Sequence, residues 1–399
     1  MNDTESRLRD YLDTKAATVP SNAQGPGLLA ESTSRRPVWP ILATAASVAA
    51  VLAITATVLT HVGPDKADPA GKPAPLTDAA PTVPYTLTTG INFKGTVHDG
   101  SRSVRLPKEL RPVVARVAGG WLTEYYVQEA PSVDPHVGIL KTDGTFKRLG
   151  PKRALGPRLS PDGRQVAMST YPAGPTARIL IYDISSGAEV HSIRPPSNMA
   201  GPVGWNPDGI WLDSGDPFSK DRLYLWKPGE AAARPIQVPS GFDGIETTPN
   251  SNIVVLTKRP ERTAPTPGQS FATTKAEPPQ EHCIQAGVLK GNAIEVQRES
   301  CSQGVRGPFP VLSPDGGKVL NVTDKLTIDV ATGKTTKLDV PDQIENYPTP
   351  VFEDATKVLV VSKTEDGKGP QRLYRCEATT GECKLLQTEK NDQITLAER

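Results

Sequence analysis

The sequence predicts an all-β fold: a six-bladed β-propeller preceded by one transmembrane helix and a short cytosolic head. Three observations lead to this prediction, namely a repeat of about 42 residues, an uncharged apolar segment, and four cysteines that all lie after residue 280. The 399 residues carry 45 Lys and Arg against 44 Asp and Glu, a formal net charge of +1. Because there is no basic excess, the chain lacks the electrostatic field that nucleic-acid-binding proteins use.

The repeat begins with a tight turn between two strands. Ser-Pro-Asp-Gly occupies residues 160–163 and 313–316, and Asn-Pro-Asp-Gly occupies residues 206–209. Proline favours the second position of such a turn, Asp bonds to its own backbone, and glycine supplies positive φ. We therefore expect structural turn roles for six residues: Asp162, Gly163, Asp208, Gly209, Asp315 and Gly316. The repeat also recurs at residues 245–257, and two eroded copies cover residues 115–127 and 350–362.

A second turn follows about 25 residues after most copies of the first. Successive second turns are 42 to 48 residues apart, except for one spacing of 62 in the fourth copy. A Pro- and Thr-rich insertion loop at residues 259–282 explains that excess. Six four-strand units of this length are typical of six propeller blades, which pack on one another in a ring. Helical repeats of similar period are excluded because Pro-Asp-Gly would interrupt each helix.

The four cysteines predict two disulfide bonds, each inside one repeat. Cys283 and Cys301 are equidistant from the second turn of the fourth repeat, and Cys376 and Cys383 from that of the sixth. Residues equidistant from a hairpin turn face each other, so each pair should close its own outer hairpin. Unpaired buried thiols are the alternative. An even number of cysteines, none of them in residues 1–62, indicates an oxidising compartment for the C-terminal part.

Residues 37–62 predict a single transmembrane helix. The 25 residues from 38 to 62 carry no charge and would form a helix of about 37 Å, enough to cross a hydrocarbon core of about 30 Å. Arg35 and Arg36 precede this segment, which places the N-terminus in the cytoplasm and the C-terminal domain outside the cell membrane. A cleaved signal peptide and a buried helix are the alternatives. The long polar leader and the long apolar run favour a retained anchor.

The other segments are a head, a linker and the propeller domain. The head, residues 1–36, has Leu8, Tyr11 and Leu12 at helical spacing. This amphipathic stretch is either a docking helix for a cytosolic partner or a marginally stable tail. Residues 63–84 are rich in proline and predict an extended extracytoplasmic linker. Residues 85–399 predict the propeller, whose first strand, within residues 85–93, is expected to join the last blade and latch the ring.

No catalytic, cofactor-binding or metal-binding residue is predicted. Neither a Gly-x-Ser-x-Gly elbow nor a phosphate-binding glycine loop occurs. Three carboxylates between residues 213 and 222 indicate a Ca²⁺ loop or an ordinary solvated loop, and the lack of an EF-hand register favours the second. The histidines show no metal-ligand spacing; they are His61, His98, His136, His191 and His282. Carboxylates that meet in a channel cannot be recognised from one sequence, so an enzyme is a further alternative.

The repeat resembles that of TolB-type, WD40-like β-propellers. Their Ser-Pro-Asp-Gly turn is similar to residues 160–163, 206–209 and 313–316, and ILIYDISSG and LTIDVATG are similar to their following hairpin. The resemblance covers roughly residues 110–390 and implies the propeller fold. Such propellers serve as interaction platforms or as non-catalytic halves of peptidases, so the resemblance implies no single function. The layout of head, span, linker and propeller also resembles membrane proteins of Gram-positive actinobacteria.

These observations predict a membrane-anchored extracytoplasmic propeller that binds a protein or a cell-envelope polymer without catalysis. A transmembrane sensor that signals through the head is a second hypothesis. An envelope hydrolase or lyase with a channel-centred carboxylate site is a third. No nucleic-acid partner and no cofactor are expected.

Overall fold

The structure, a computed structural model, describes most of the chain from residue 76 onward. The described residues are 76–77, 79–89, 94–107, 110–129, 132–170, 177–197, 199–216, 221–259, 280–304, 309–346, 349–364, 369–390 and 392–397. The head (1–36), the transmembrane helix (37–62), most of the linker and residues 260–279 of the insertion lie outside them. Within the described residues, no helix is long and apolar enough to span a bilayer.

The described residues contain 29 β-strands in seven antiparallel sheets, numbered here as blades 1 to 7. Blade 1 consists of β1 (Tyr85–Thr89), β2 (Lys94–Asp99), β3 (Arg102–Arg105) and β29 (Asp392–Leu396). Blade 2 consists of β4 (Leu110–Val117), β5 (Gly120–Glu129), β6 (Ser132–Lys141) and β7 (Phe146–Leu149). Blade 3 consists of β8 (Ala154–Leu159), β9 (Gln165–Thr170), β10 (Ile179–Asp183) and β11 (Glu189–Ile193). Blade 4 consists of β12 (Gly201–Asn206), β13 (Gly209–Asp213), β14 (Leu223–Trp226) and β15 (Arg234–Ile236).

The last three blades follow the same plan. Blade 5 consists of β16 (Phe242–Thr247), β17 (Ile253–Lys258), β18 (Gln280–Lys290) and β19 (Ala293–Gly304). Blade 6 consists of β20 (Pro310–Leu312), β21 (Lys318–Asn321), β22 (Leu326–Asp329) and β23 (Thr335–Lys337). Blade 7 consists of β24 (Gln343–Ile344), β25 (Val351–Phe352), β26 (Lys357–Lys363), β27 (Gln371–Glu377) and β28 (Cys383–Glu389). Its inner strand is therefore in two pieces, β24 and β25, which both pair with β26.

The propeller has seven blades, so the prediction of six was wrong. The six sequence repeats correspond to blades 2 to 7, and the additional blade 1 combines three strands from the start of the domain with one from its end. Its inner strand β29 and second strand β1 come from opposite ends of the domain, so no turn joins them. The repeat was recognised by that turn, which is why the sequence pattern did not reveal this blade.

The strand expected to latch the ring has this role in blade 1 and not in the last repeat. Tyr85–Thr89 pairs with Lys94–Asp99 on one side and with Asp392–Leu396 on the other, over five residue pairs in each case. The backbone N–H of Ala397 also donates to the carbonyl of Pro84 (2.9 Å). The two ends of the domain thus form one sheet, which closes the ring and removes two free strand edges.

Both sides of each blade are buried between its neighbours, as the alternation of side chains along a strand allows. In β13, Ile210 and Leu212 pack in one apolar cluster with blade 3, including Ile181. Trp211, between them in sequence, packs in the next cluster with Val254 of blade 5. The core is therefore a series of apolar layers between blades, each filled by alternate residues of the second and third strands.

The antiparallel arrangement gives the ring two unlike faces. Connections from inner to second strand and from third to outer strand lie on one face, here called the turn face, because successive connections alternate between the sheet ends. The motifs at residues 160–163, 206–209 and 313–316 are all inner-to-second connections and lie on this face. The opposite face is here called the loop face; β17 ends there at Lys258 and β18 begins there at Gln280. Residues 280–282 of the predicted insertion belong to β18.

The end of the linker is anchored in blade 7 before it enters β1. Arg375 of β27 donates from Nη1 to the carbonyls of Thr77 (3.0 Å) and Ala79 (2.9 Å). Glu353, which follows β25 and pairs with Arg375, accepts a hydrogen bond from the backbone N–H of Thr82 (2.7 Å). Glu353 lies in the connection from β25 to β26, so the chain enters the ring at the turn face.

Candidate functional site

A central cavity lies between the inner strands of the blades. Its volume is about 630 Å³, and its walls come mainly from β4, β8, β12, β16, β20, β25 and β29. Four lining residues are charged: Arg111, Glu124, Arg158 and Glu246. Four others carry hydroxyl groups: Thr247, Thr248, Thr349 and Thr395. The cavity therefore combines both signs of charge with neutral polar groups on a preformed wall, as ligand sites commonly do.

β-Bulges interrupt the inner strands of four successive blades. The register shifts occur at Leu110/Val113, Leu155/Arg158, Pro202/Gly204 and Phe242/Gly244. A bulge leaves a residue without a partner in the ladder, and its N–H and C=O groups must find other hydrogen bonds. The bulges therefore present backbone polar groups at the blade interfaces around the cavity.

Two of the charged cavity residues bind these backbone groups across blade interfaces. Oε1 of Glu124, in blade 2, accepts a hydrogen bond from the backbone N–H of Gly156 in blade 3 (2.9 Å). Nε of Arg158, in blade 3, donates to the carbonyl of Val203 in blade 4 (3.1 Å). Each contact joins a charged side chain of one blade to the bulge of the next, so these charges hold the cavity wall together.

Arg222 makes the corresponding contact one blade further on. Its Nη1 donates to the carbonyl of Phe242 (2.6 Å) and its Nη2 to that of Asp243 (3.2 Å), both in blade 5. The guanidinium carbon also lies 4.9 Å from the centroid of the Phe242 ring, a cation–π distance. At each of the three successive interfaces from blade 2 to blade 5, a charged side chain therefore forms a hydrogen bond with a backbone group of the next blade.

Two of the predicted turn aspartates accept hydrogen bonds within their own turns. Oδ1 of Asp162 accepts from the hydroxyl of Ser160 (2.6 Å) and the backbone N–H of Arg164 (3.1 Å). Oδ1 of Asp315 accepts from Ser313 (2.7 Å) and the N–H of Gly317 (3.1 Å) in the same way. The hydrogen bond from Ser160 lowers the pKa of Asp162 below its usual value. Gly163 and Gly316 adopt φ of 67° and 75°, as such a turn requires.

Asp208 differs because Asn206 takes the place of serine. Oδ1 of Asn206 accepts from the backbone N–H of Asp208 (3.0 Å) and from Nε1 of Trp211 (2.9 Å), so the Asn side chain is the turn acceptor. The Asp208 carboxylate contacts Nδ2 of Asn252 in blade 5 (3.4 Å), and its Oδ2 is buried without a partner among the described residues. Burial raises the pKa of Asp208. At Gly209 (φ of 140°), a Cβ would lie 2.7 Å from the carbonyl oxygen of Trp226, so close approach requires glycine there.

The candidate metal-ligating residues do not converge. Four of the histidines lie in four different blades: His98, His136, His191 and His282; His61 lies outside the described residues. In the acidic loop, Asp213 accepts from the N–H of Gly215 (2.8 Å) and lies 3.7 Å from Arg222, while residues 217–220 lie outside the described part. The described residues hold one group of three potential ligand atoms, from Glu281, Cys283 and Cys301, and its sulfur atoms are joined in a disulfide bond.

The two predicted disulfide bonds are confirmed. Cys283 faces Cys301 across β18 and β19, and Cys376 faces Cys383 across β27 and β28. Each bond closes the outer hairpin of its own blade, blade 5 and blade 7. The described chain contains no free cysteine. The spacing argument therefore identified both the pairing and its place in the fold.

Comparison with known proteins finds similarity to solved structures only at low sequence identity. No family model matches the sequence. No curated protein matches it either. The structure is similar to TolB from Acinetobacter baumannii, with 15% identity over 79% of this chain and 83% of that chain and a TM-score of 0.40. It is similar to the β-propeller domain of the Trilobed protease from Pyrococcus furiosus, with 14% identity over 71% of this chain and 83% of that chain and a TM-score of 0.43.

A third similar structure is an acylaminoacyl peptidase from Pyrococcus horikoshii. The identity is 14% and the TM-score is 0.35, over 69% of this chain. The matched region is 39% of that peptidase. At these identities and TM-scores the similarities assign no role to this chain.

The sequence did not reveal the charged residues of the cavity or the partners of Arg375. Glu124, Arg158 and Arg375 each look like ordinary polar residues of a half-exposed strand. A strand in a propeller blade is buried on both faces, so a charged residue in its middle must find a partner inside the protein. The sequence therefore indicates that these charged residues have partners, but the partners can be named only when the bulges and the neighbouring blades are known.

Proposed function

We propose that the protein is a membrane-anchored extracytoplasmic β-propeller that binds a protein or cell-envelope ligand without converting it. The observation that carries this proposal is the central cavity, about 630 Å³ in volume, whose charged residues Glu124 and Arg158 are bound to neighbouring blades. Charges used in this way rigidify the wall, and a rigid, preformed wall lowers the entropic cost of binding.

The two disulfide bonds support the extracytoplasmic placement. Two disulfide bonds persist in an oxidising compartment, which agrees with a domain outside the cytoplasm. The anchor expected at residues 37–62 precedes the linker, and the end of that linker reaches the ring at the turn face through Thr82 and Glu353.

The proposal is tested by cross-linking in the native membrane, followed by capture of the full-length protein. Thr349→Trp adds bulk at an exposed position that lines the cavity, and Thr335→Trp adds the same bulk on the outer strand of blade 6. We expect partners that bind through the cavity to disappear with Thr349→Trp and to be retained with Thr335→Trp. If both variants keep every partner, the cavity is not the binding site.

A protein lacking residues 1–36 provides the complementary measurement. Envelope partners retained by this truncated form support the binding platform. Cytosolic partners that disappear with the head would instead identify a transmembrane sensor that signals through residues 1–36, and the platform proposal would be abandoned.

The pair of cavity glutamates favours a second candidate, an envelope hydrolase or lyase. Glu124 comes from blade 2 and Glu246 from blade 5, so two carboxylates face one cavity from different parts of the ring. The engagement of Glu124 by the amide of Gly156 argues against a free acid or base at that position. Hydrolysis of purified envelope polymers by the full-length protein, abolished by Glu246→Gln, would establish the enzyme and displace the binding platform.

A further inference from the structure

The basic residues of the domain are unevenly distributed around the ring. Residues 101–200 carry 14 Lys and Arg against 8 Asp and Glu, although the whole chain is almost neutral. Four of these cations lie on the outer strands of blades 1 and 2: Arg102 and Arg105 on β3, and Lys147 and Arg148 on β7. All four are exposed, and none forms an ion pair with another residue that the structure describes.

The two strands that carry these cations meet across one blade interface. Val104 of β3 and Phe146 of β7 pack against the same apolar cluster. Side chains two residues apart lie on the same face of a strand, so Arg102 shares the face of Val104, and Arg148 shares that of Phe146. Arg102 and Arg148 therefore lie on the strand faces that border the interface between blades 1 and 2, whereas Arg105 and Lys147 lie on the other faces of the same two strands. We call the surface formed by Arg102, Arg105, Lys147 and Arg148 the basic rim.

A cleft of about 580 Å³ opens between the end of β3 and the turn before β7. Its walls are residues 103–107, including Arg105, and residues 142–144 in the turn before β7. One carboxylate, Asp143, also lines it, and Oδ1 of this group accepts from the backbone N–H (2.8 Å) and the hydroxyl (2.6 Å) of Thr145. The nearby Asp99 is bound by Arg116 and by Nε1 of Trp121 (2.9 Å). These carboxylates are held by other residues, and the cations of the rim are left for a ligand.

We propose that the basic rim binds a linear, phosphate-bearing polymer. Three of its four cations are arginines, whose planar fork matches the oxygens of a phosphate group. The rim follows the convex outer wall of a ring, around which a flexible chain can bend, whereas a flat bilayer touches such a wall along a narrow line. Single-stranded nucleic acid is disfavoured because its binding sites use exposed aromatic platforms, and Phe146 is partly buried in the core.

Basic residues on edge strands also have a simpler role, which is to discourage pairing between molecules. Blade 6 offers the matched case, since Lys334 and Lys337 are exposed at its outer strand and form no ion pair among the described residues. Removing this pair changes the net charge by the same amount as removing Arg102 and Arg105. Comparing the two double variants therefore shows whether binding depends on the basic rim or only on the net charge of the protein.

The test uses the full-length protein in neutral detergent micelles and a fluorescently labelled linear polyphosphate as the probe. Fluorescence anisotropy at several salt concentrations gives the affinity and its salt dependence. Three double variants are compared with the wild type: Arg102→Ser with Arg105→Ser, Lys147→Ser with Arg148→Ser, and the control Lys334→Ser with Lys337→Ser. All six positions are exposed, and equal thermal unfolding midpoints verify that each variant is folded.

We expect each rim variant to weaken polyphosphate binding about fivefold per cation removed. The slope of log affinity against log salt should fall by about one for each phosphate that the variant no longer binds. The control variant should bind like the wild type. The proposal is overturned if the wild type does not retain polyphosphate at low salt, or if the control loses as much affinity as the rim variants.

Two comparator ligands test the chemical assignment. Vesicles of phosphatidylglycerol that bind as tightly as polyphosphate, with the same sensitivity to the rim variants, would identify a membrane surface and overturn the polymer. Polygalacturonate that binds as tightly would overturn the preference for phosphate. The proposal concerns the outer wall and depends neither on the central cavity nor on the membrane anchor, so it can fail while the proposed function holds.

Discussion

Arg375 and Glu353 form a buried ion pair that holds the incoming chain against blade 7. Both side chains are 4% exposed, and Nη2 of Arg375 lies 2.9 Å from Oε1 of Glu353. The same two groups bind the carbonyls of Thr77 and Ala79 and the N–H of Thr82. The pair therefore fastens to blade 7 the segment that leads into blade 1, where the two ends of the domain close the ring.

Removing one member of this pair should be costly. Glu353→Gln leaves the Arg375 guanidinium without a counter-charge in a buried site, and we expect a loss of about 3–5 kcal/mol in the free energy of unfolding. Arg375→Met should cost a similar amount and should also release the carbonyls of Thr77 and Ala79. Chemical denaturation gives the free energies, and limited proteolysis before residue 85 reports the release of the linker.

An exposed ion pair of the same domain is the control. Lys290 of β18 and Glu295 of β19 form a diagonal ion pair across the two strands, with side chains 64% and 52% exposed. Glu295→Gln should cost less than about 1 kcal/mol, because solvent screens this pair. A loss from Glu353→Gln no larger than that from Glu295→Gln would contradict the role assigned to the buried pair.

The two disulfide bonds should contribute unequally to stability. Their sequence separations are 18 and 7 residues, and a cross-link restricts the unfolded chain more when it closes a longer loop. Chain-entropy arguments give about 3 kcal/mol for Cys283–Cys301 and about 2 kcal/mol for Cys376–Cys383. Replacing each pair by serine and measuring the denaturant midpoint checks this order.

Reduction of the wild type provides the independent check. A reducing agent should lower the midpoint of the wild type and should leave a variant without all four cysteines unchanged. Free thiols detected in the folded, untreated protein would show that the bonds do not form in solution.

The turn aspartates should respond to substitution with opposite signs. The ionised form of Asp162 accepts two hydrogen bonds in its turn, so Asp162→Asn should destabilise the protein at neutral pH by less than about 1 kcal/mol. The Asp208 carboxylate accepts a long hydrogen bond from Asn252 (3.4 Å), and its Oδ2 is buried without a partner among the described residues, so Asp208→Asn should raise the unfolding midpoint at pH 7. Thermal unfolding of the two variants beside the wild type measures both effects.

The pH dependence follows from the two pKa shifts. The pKa of Asp162 is lowered by folding, so its contribution is present above the unfolded value of about 3.9 and is lost as the pH falls through the lower folded value. The pKa of Asp208 is raised, so its ionisation costs stability as the pH rises through and above about 3.9. Both variants should approach the wild type at the acidic end. Equal shifts of the same sign at pH 7 would refute the distinction.

The features predicted correctly from the sequence were those with a local cause. The turns at residues 160–163 and 313–316 contain their own proline, acceptor and glycine, and the spacing of the cysteines about a turn fixes their pairing without knowledge of the fold. Asp208 shows the limit of that reasoning. Asn206 stands where the other two turns have serine, and its side chain, instead of the Asp208 carboxylate, accepts the backbone hydrogen bond of the turn.

The features missed depend on neighbours that are distant in sequence. Blade 1 pairs Tyr85 with Leu396, and no local pattern indicates that contact. The contacts of the charged cavity residues depend on bulges. The backbone N–H that binds Glu124 belongs to Gly156, which lies in the bulge of β8 and has no partner in the strand ladder. A repeat pattern gives the unit that is copied, but the closure of the ring and the contacts between copies are set by packing.

The seventh blade can be tested by the strand that completes it. β29 supplies Ile394, fully buried, and Leu396, 6% exposed, to the cluster between blades 7, 1 and 2. The backbone N–H of Ile394 also donates to Oε1 of Gln371 in blade 7 (2.7 Å). Ile394→Ala should therefore cost about 2–5 kcal/mol, the usual range for a buried aliphatic side chain in a closed core.

The matched substitution is Val190→Ala on the outer strand of blade 3, where the side chain is 39% exposed. It should change the free energy of unfolding by less than about 0.5 kcal/mol. A chain that ends at Lys390 lacks β29 and should not unfold cooperatively, because β1 then presents a free edge and the cluster loses one side. A peptide of residues 391–399 should restore cooperative unfolding. If the shortened chain unfolds as cooperatively as the full one, the six repeats alone form the folding unit and blade 1 is dispensable.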